Sequence, residues 1–199
     1  MNPRIEQARN VIFDVGKVLL TFEPEEYIPR LLQGEARQRV TADMLYGSPE
    51  WVALDGGTVT EEEVARAAAR RAGDESLWPL VLPGVQRFPE LMRPLPATRL
   101  IPALKAQGKG LYVLSNYGLE PFARTEKRFP EIFGQMDGMV ISSREKVSKP
   151  DPAIYRLLLS RYGLQARDCA FIDDRADNVA AAEALGIAGI LYTGEDVLK

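Results

Sequence analysis

The chain predicts an α/β fold, a Rossmann-like parallel sheet with an all-helical cap inserted into it. Three observations carry this. Short apolar runs bounded by turn or helix-start residues recur at residues 11–15, 111–114, 139–141 and 170–172, with a fifth at 187–192. Helical patterns of about 10–15 residues separate the later runs, the alternation of a parallel sheet covered by helices. The stretch from about residue 22 to 95 has several helical patterns and no convincing strand.

Each element has its own signal. In "PATRLIPALKAQG", Leu100, Ile101 and Leu104 share one helical face and Gly108 ends the pattern. "DPAIYRLLLSRYG" offers Asp151 as N-cap, Pro152 at the first helical position and Gly163 as stop. "RADNVAAAEALG" turns Val179, Ala182 and Leu185 inward and stops at Gly186. Within the strandless stretch, Thr60 and Glu63 form a capping-box signature ahead of an Ala/Arg-rich helix. "RPLP" at residues 93–96 reads as a return hinge. The expected division is a core of residues 1–21 and 96–199 and a helical cap of residues 22–95.

Composition narrows the chemistry. At 199 residues, 46% of them apolar, the chain can bury a substantial core. A net charge of −3, without a dense basic cluster interleaved with aromatics, argues against nucleic acid as a partner. The polar start "MNPRIEQARN" and the lack of any run of about 18 apolar residues argue against membrane insertion, so a cytoplasmic location is expected. There is no histidine, which removes Ser-His and Cys-His mechanisms and the usual zinc sites. The single cysteine, Cys169, excludes an internal disulfide and reads as a buried core thiol in the run "CAFI". Oligomeric state has no signature.

Ligands of an open parallel sheet bind beyond the carboxyl ends of its strands. The residues there are Asp14 after the first run, Ser115 and Asn116 after the second, and Asp173 and Asp174 after the fourth, with Lys149 before a helix start. Taken singly, an Asp at a strand end is most often a turn or cap residue, Ser-Asn likewise, and Lys149 an ordinary solvated side chain. The adjacent pair Asp173-Asp174 is harder to read that way, because neighbouring carboxylates at a buried strand end repel unless a cation is present. Together these residues make a phosphate and divalent-cation site. Asp14 and Asp174 would bind a hard cation such as Mg²⁺ through oxygen. Lys149, Ser115, Asn116 and backbone amides near helix starts would take the phosphate oxygens of a small phosphorylated metabolite.

The order of these motifs resembles the haloacid-dehalogenase (HAD) superfamily along essentially the whole chain. Asp14-Val15-Gly16-Lys17-Val18 is similar to its first motif, hydrophobic-Asp-x-Asp-x-Thr/Val. "LYVLSN" resembles the second, "SKPDPAIY" the third and "FIDDRADN" the fourth. The resemblance implies a HAD-like core with the small helical cap of one subclass, and a phosphoric monoester hydrolase in which Asp14 becomes an aspartyl-phosphate. It implies Mg²⁺ held by Asp14, the carbonyl of Gly16 and Asp174, with Asp173 acting through water. It further implies that Ser115 and Lys149 stabilise the transferring group, while Asn178, four residues after Asp174, orients that carboxylate.

Gly16 departs from the pattern. Most phosphatases of the family carry there the aspartate that protonates the leaving oxygen and later activates water. Glycine keeps the carbonyl and loses the acid, a loss of about 10²- to 10⁴-fold. Good leaving groups need the acid least, and family members with an Asp-x-Gly-x-Val motif include sugar-phosphate phosphatases, bacterial glucose-1-phosphate phosphatases among them. Two alternatives stay open: a weak or inactive protein that binds a phosphorylated ligand or a protein partner, and a carbon–halogen hydrolase. Lys17 is a conceivable proton donor but ordinarily a surface charge. Met44, Tyr46, Trp51 and Trp78 in the cap either shape a pocket or pack its core.

Overall fold

The computed structural model describes residues 2–194. Two compact units are present. One takes in the chain up to Thr21, Arg93–Asn116 and the chain from Phe129 onward; the other takes in Phe22–Met92 and Tyr117–Arg128.

In the first unit, β1 (Asn10–Phe13), β2 (Gly110–Ser115), β3 (Gly138–Ile141), β4 (Cys169–Asp173) and β5 (Ala188–Leu191) form one sheet, ordered β3-β2-β1-β4-β5. Every pairing is parallel, and Ile12 of β1 stands level with Tyr112 and Phe171. Strands buried on both faces read as continuous apolar runs, which is why β2 and β4 were plain in the sequence. One face, with Ile12, Tyr112, Leu114, Val140 and Phe171, closes over Ile154, Tyr155 and Leu158 of helix Pro152–Tyr162 and Ala182 of helix Ala176–Glu183. Helix Leu100–Ala106 buries Ile101 and Leu104 and packs against β2. Asp151 caps helix Pro152–Tyr162 by accepting from the Ala153 N–H at 2.8 Å, and Gly163 ends it at φ 64°.

β2 and β3 lie to one side of β1 and β4 and β5 to the other, so β1 ends at the switch point where open sheets bind ligands. β1 stops at Phe13 rather than running to residue 15. Asp14 still donates its N–H to the Ile172 carbonyl at 2.9 Å, but Val15 starts a tight turn whose carbonyl accepts from Leu19 and Leu20. Val15, Val18, Leu19 and Leu20 are fully buried in this turn, so the apolar run continues after the strand has ended.

The second unit has seven α-helices and no strand among its described residues. Its capping box is present: Glu63 N–H donates to Thr60 Oγ1 at 3.2 Å and Thr60 N–H donates to Glu63 Oε2 at 2.7 Å. Phe22, Tyr27, Tyr46, Trp51 and Phe88 pack ring against ring, the closest pair being Tyr46 and Trp51 at 4.7 Å between centroids. Such edge-on pairs add about 0.5–1.5 kcal/mol each beyond their buried area. The Tyr46 hydroxyl donates to the Gly84 carbonyl at 2.8 Å. Trp78 is half-buried beneath the Arg66 guanidinium.

Helix Leu119–Arg128, sequence-assigned to the sheet part, groups with the helical unit. Tyr117 stacks on Phe88, and Arg124 pairs with the buried Glu61. Residues 93–95 group instead with the sheet unit, through Thr21 N–H to the Arg93 carbonyl and Leu95 N–H to the Leu19 carbonyl, both 2.8 Å.

Candidate active site

The carboxyl ends of β1, β2 and β4 place Asp14, Ser115 and Asp173 side by side. Ser115 Oγ donates to Asp14 Oδ1 at 2.7 Å. The Lys149 ammonium lies 2.9 Å from Asp14 Oδ1 and 2.6 Å from Asp173 Oδ2. All four side chains are buried. Four residues scattered from position 14 to 173 therefore form one hydrogen-bonded group.

Each is held by a second set of contacts. Asn116 donates from its side-chain amide to the Lys149 carbonyl at 2.9 Å and accepts from the Lys149 N–H at 2.8 Å, pinning the lysine's backbone at a cis Lys149–Pro150 peptide. The sequence marked Asn116 as a phosphate ligand, and its carboxamide clasps the Lys149 main chain. Asp173 accepts from the Arg175 N–H at 2.8 Å and from Asn178 Nδ2 at 3.1 Å. The expectation that Asn178 orients Asp174 is corrected: its amide faces Asp173, because Asp174 lies in the loop before helix Ala176–Glu183 and no helical spacing relates the two. Tyr155, which the sequence reading passed over, fixes Asn178 by donating to its main-chain carbonyl at 2.9 Å. Its only sequence signal was an inward position in the helix that follows Lys149.

Electrostatics follow from burial. Burial pushes the Asp14 carboxyl up to about 6, with Lys149 opposing and the Asp173 charge adding. Burial by itself lowers the proton affinity of Lys149, but Asp14 and Asp173 together hold it above the ordinary lysine value. Asp174, half-buried, is raised by burial and by Asp173, with Lys17 and Lys149 opposing.

Oxygens of Asp14, Asp173 and Asp174 lie within 4.8 Å of one another. Among the described residues Lys149 is the single buried ammonium beside these three carboxylates, so negative charge exceeds positive in the cluster. No hydrogen bond among the described residues ends on the Gly16 carbonyl, which follows Asp14 in the half-buried turn. An all-oxygen, electron-rich donor set of this kind suits a hard divalent cation. Asp14, Asp174 and the Gly16 carbonyl would hold it.

The switch point of a parallel α/β sheet thus carries a lysine-braced carboxylate with an acidic cluster beside it. The model of the haloacid dehalogenase-like hydrolases matches residues 8–186, and the chain belongs to that family. It is 25% identical over 189 residues to a sesquiterpene phosphatase of Aspergillus oryzae, spanning 92% of this chain and 88% of the relative. Among solved structures, the magnesium complex of a HAD family enzyme from Bacteroides thetaiotaomicron aligns with TM-score 0.71 at 21% identity, over 95% of this chain and 94% of that one. The L-2-haloacid dehalogenase of Xanthobacter autotrophicus, with chloropropionic acid covalently bound, aligns with TM-score 0.66 at 18% identity, over 92% and 76%. Among the described residues no helix is long and apolar enough to cross a membrane.

Proposed function

We propose that this hydrolase is a Mg²⁺-dependent phosphatase acting on a small phosphorylated metabolite through an aspartyl-phosphate on Asp14. The observation that carries the reading is the bracing of one Asp14 oxygen by Ser115 and Lys149, which leaves the carboxylate fixed and its other oxygen uncommitted by them. Asp14 attacks phosphorus, the bond to the departing oxygen breaks, and water then cleaves the acyl phosphate. Ser115 and Lys149 hold the negative charge of the transferring group in a buried setting, where fixed donors count for most. A bound Mg²⁺ supplies further neutralisation of phosphate charge.

Glycine at position 16 supports a narrower substrate class, phosphate on an oxygen that departs without a proton, with a sugar phosphate esterified at the anomeric carbon as the leading candidate. The test is phosphate release from sugar phosphates, nucleotides and acyl phosphates, with Mg²⁺ or with chelator, by the wild type and Asp14→Asn. Release that needs both Mg²⁺ and Asp14 is the expected result. Equal release by the variant refutes it, flat rates across the panel favour a binding protein, and dehalogenation undiminished by chelator favours a carbon–halogen hydrolase.

A further inference from the structure

Among the described residues β3 and β5 are the outer strands of the sheet, each with a partner strand on one side alone. An outer strand offers its unpaired main-chain N–H and C=O groups to any strand that comes alongside. Met139 of β3 has neither to offer. Its N–H donates to the Tyr162 hydroxyl at 2.9 Å, and its carbonyl accepts from the same hydroxyl at 3.1 Å. One phenol serves both, because its oxygen accepts a hydrogen bond while its own proton is donated. Met139 stands level with Val113 of β2 yet spends both groups on Tyr162, so they face the open edge. The local sequence builds this contact. Tyr162 is the last residue of helix Pro152–Tyr162, and Gly163 turns the chain away from it at φ 64°. The Tyr162 ring lies over Gly138, where any Cβ would collide with it, and its centroid is 5.2 Å from that of Tyr112. Glycine at 138 is therefore what lets the phenol reach the strand. The opposite edge carries a similar fitting: the Arg4 guanidinium donates to the Gly189 carbonyl of β5 and pairs with Glu183.

We infer that the Tyr162 hydroxyl is a plug that keeps the β3 edge from pairing with β3 of a second copy of this chain. The two groups it holds are the pair through which a residue of a docking strand would bond. Gly138–Ile141 has no charged residue, so two such edges would meet without repulsion. Antiparallel pairing about a two-fold axis would let each edge satisfy the other. Tyr162 takes the place of that partner within its own chain.

The test is Tyr162→Phe, which keeps the ring over Gly138 and removes the hydroxyl alone. Wild type and variant are compared over a range of protein concentrations by sedimentation velocity and by hydrogen exchange at the Met139 amide. At low concentration exchange is expected to be about 2- to 10-fold faster in the variant, the effect of losing one net hydrogen bond. As concentration rises, the variant should associate further than the wild type, and Met139 should regain protection in step. Adding Met139→Pro to Tyr162→Phe removes the N–H as well, at an outer-strand position where proline is tolerated, and should return sedimentation to that of the wild type. Equal association of wild type and Tyr162→Phe overturns the proposal, as does added association that leaves Met139 exchange independent of concentration or persists undiminished in the double variant. If the double variant does not fold, the concentration dependence of Met139 exchange in Tyr162→Phe decides the question.

Discussion

Asn116 and Lys149 exchange two hydrogen bonds, side-chain amide to main-chain carbonyl at 2.9 Å and main-chain N–H to side-chain carbonyl at 2.8 Å. This clasp positions the backbone from which the buried ammonium reaches Asp14 and Asp173. Asn116→Ala should cost about 1–3 kcal/mol in urea unfolding, because it leaves part-buried main-chain groups unpaired. If the clasp serves Lys149, phosphate release falls by about 10- to 100-fold, mostly in kcat. A fall confined to KM would argue for direct substrate contact instead.

Lys149 itself compensates two buried carboxylates. Removing one partner of such a group strands the others, so Lys149→Met should lower stability by about 3–5 kcal/mol without divalent cation. Chemical denaturation at neutral pH measures this. An unchanged midpoint would contradict the charge balance drawn for the cluster.

The same excess of negative charge makes a prediction about metal binding that needs no substrate. Mg²⁺ at 100 times its dissociation constant should stabilise the wild type by about 2.7 kcal/mol. Asp174→Asn should lose most of that increment while folding normally in its absence, since Asp174 is only half-buried. Thermal unfolding with added magnesium chloride or chelator reads it directly, and an equal shift in the variant removes Asp174 from the ligand set.

Cys169 is a buried thiol that burial pushes up from 9.0 to about 11. Below pH 9 the thiol is neutral in both folded and unfolded chains, so its contribution to stability is fully present. As pH rises from about 9 to about 11 the unfolded thiol ionises first, and that contribution is lost. Cys169→Ala should therefore flatten the fall in stability over this window. At pH 8 a thiol reagent should modify the native protein far more slowly than the protein in denaturant.

Gly16→Asp restores a carboxyl on the turn beside Asp14. Its gain should be confined to poor leaving groups, up to about 10²-fold on alkyl phosphates, with acyl phosphates little changed. Steady-state rates across the two classes decide it. A uniform loss would mean that the added charge disturbs the cluster rather than supplying an acid.

Much of the fold was legible because its signals are local. The apolar runs of β2 and β4 are buried on both faces and show in composition alone, and Asp151, Gly163, Thr60 and Glu63 announce helix ends through caps that span a few residues. The end of β1 was less legible, since Val15, Val18, Leu19 and Leu20 are as apolar in a buried turn as they would be in a strand. Helix Leu119–Arg128 was placed by chain order, yet a stacked Tyr117 and the Arg124–Glu61 pair decide its neighbours.

The sequence by itself determined which residues stand at the strand ends: Asp14, Ser115, Asp173 and Asp174 follow apolar runs, and a parallel sheet must carry them to one edge. It could not determine partners. Asn178 turns to Asp173 rather than Asp174, Asn116 clasps Lys149, and Lys149 joins Asp14 to Asp173. Hydrophobic period is a property of neighbours in the chain, whereas a buried hydrogen bond or ion pair forms between groups far apart in sequence and is chosen by the need to satisfy every polar atom removed from water. Only the tertiary structure decides that choice.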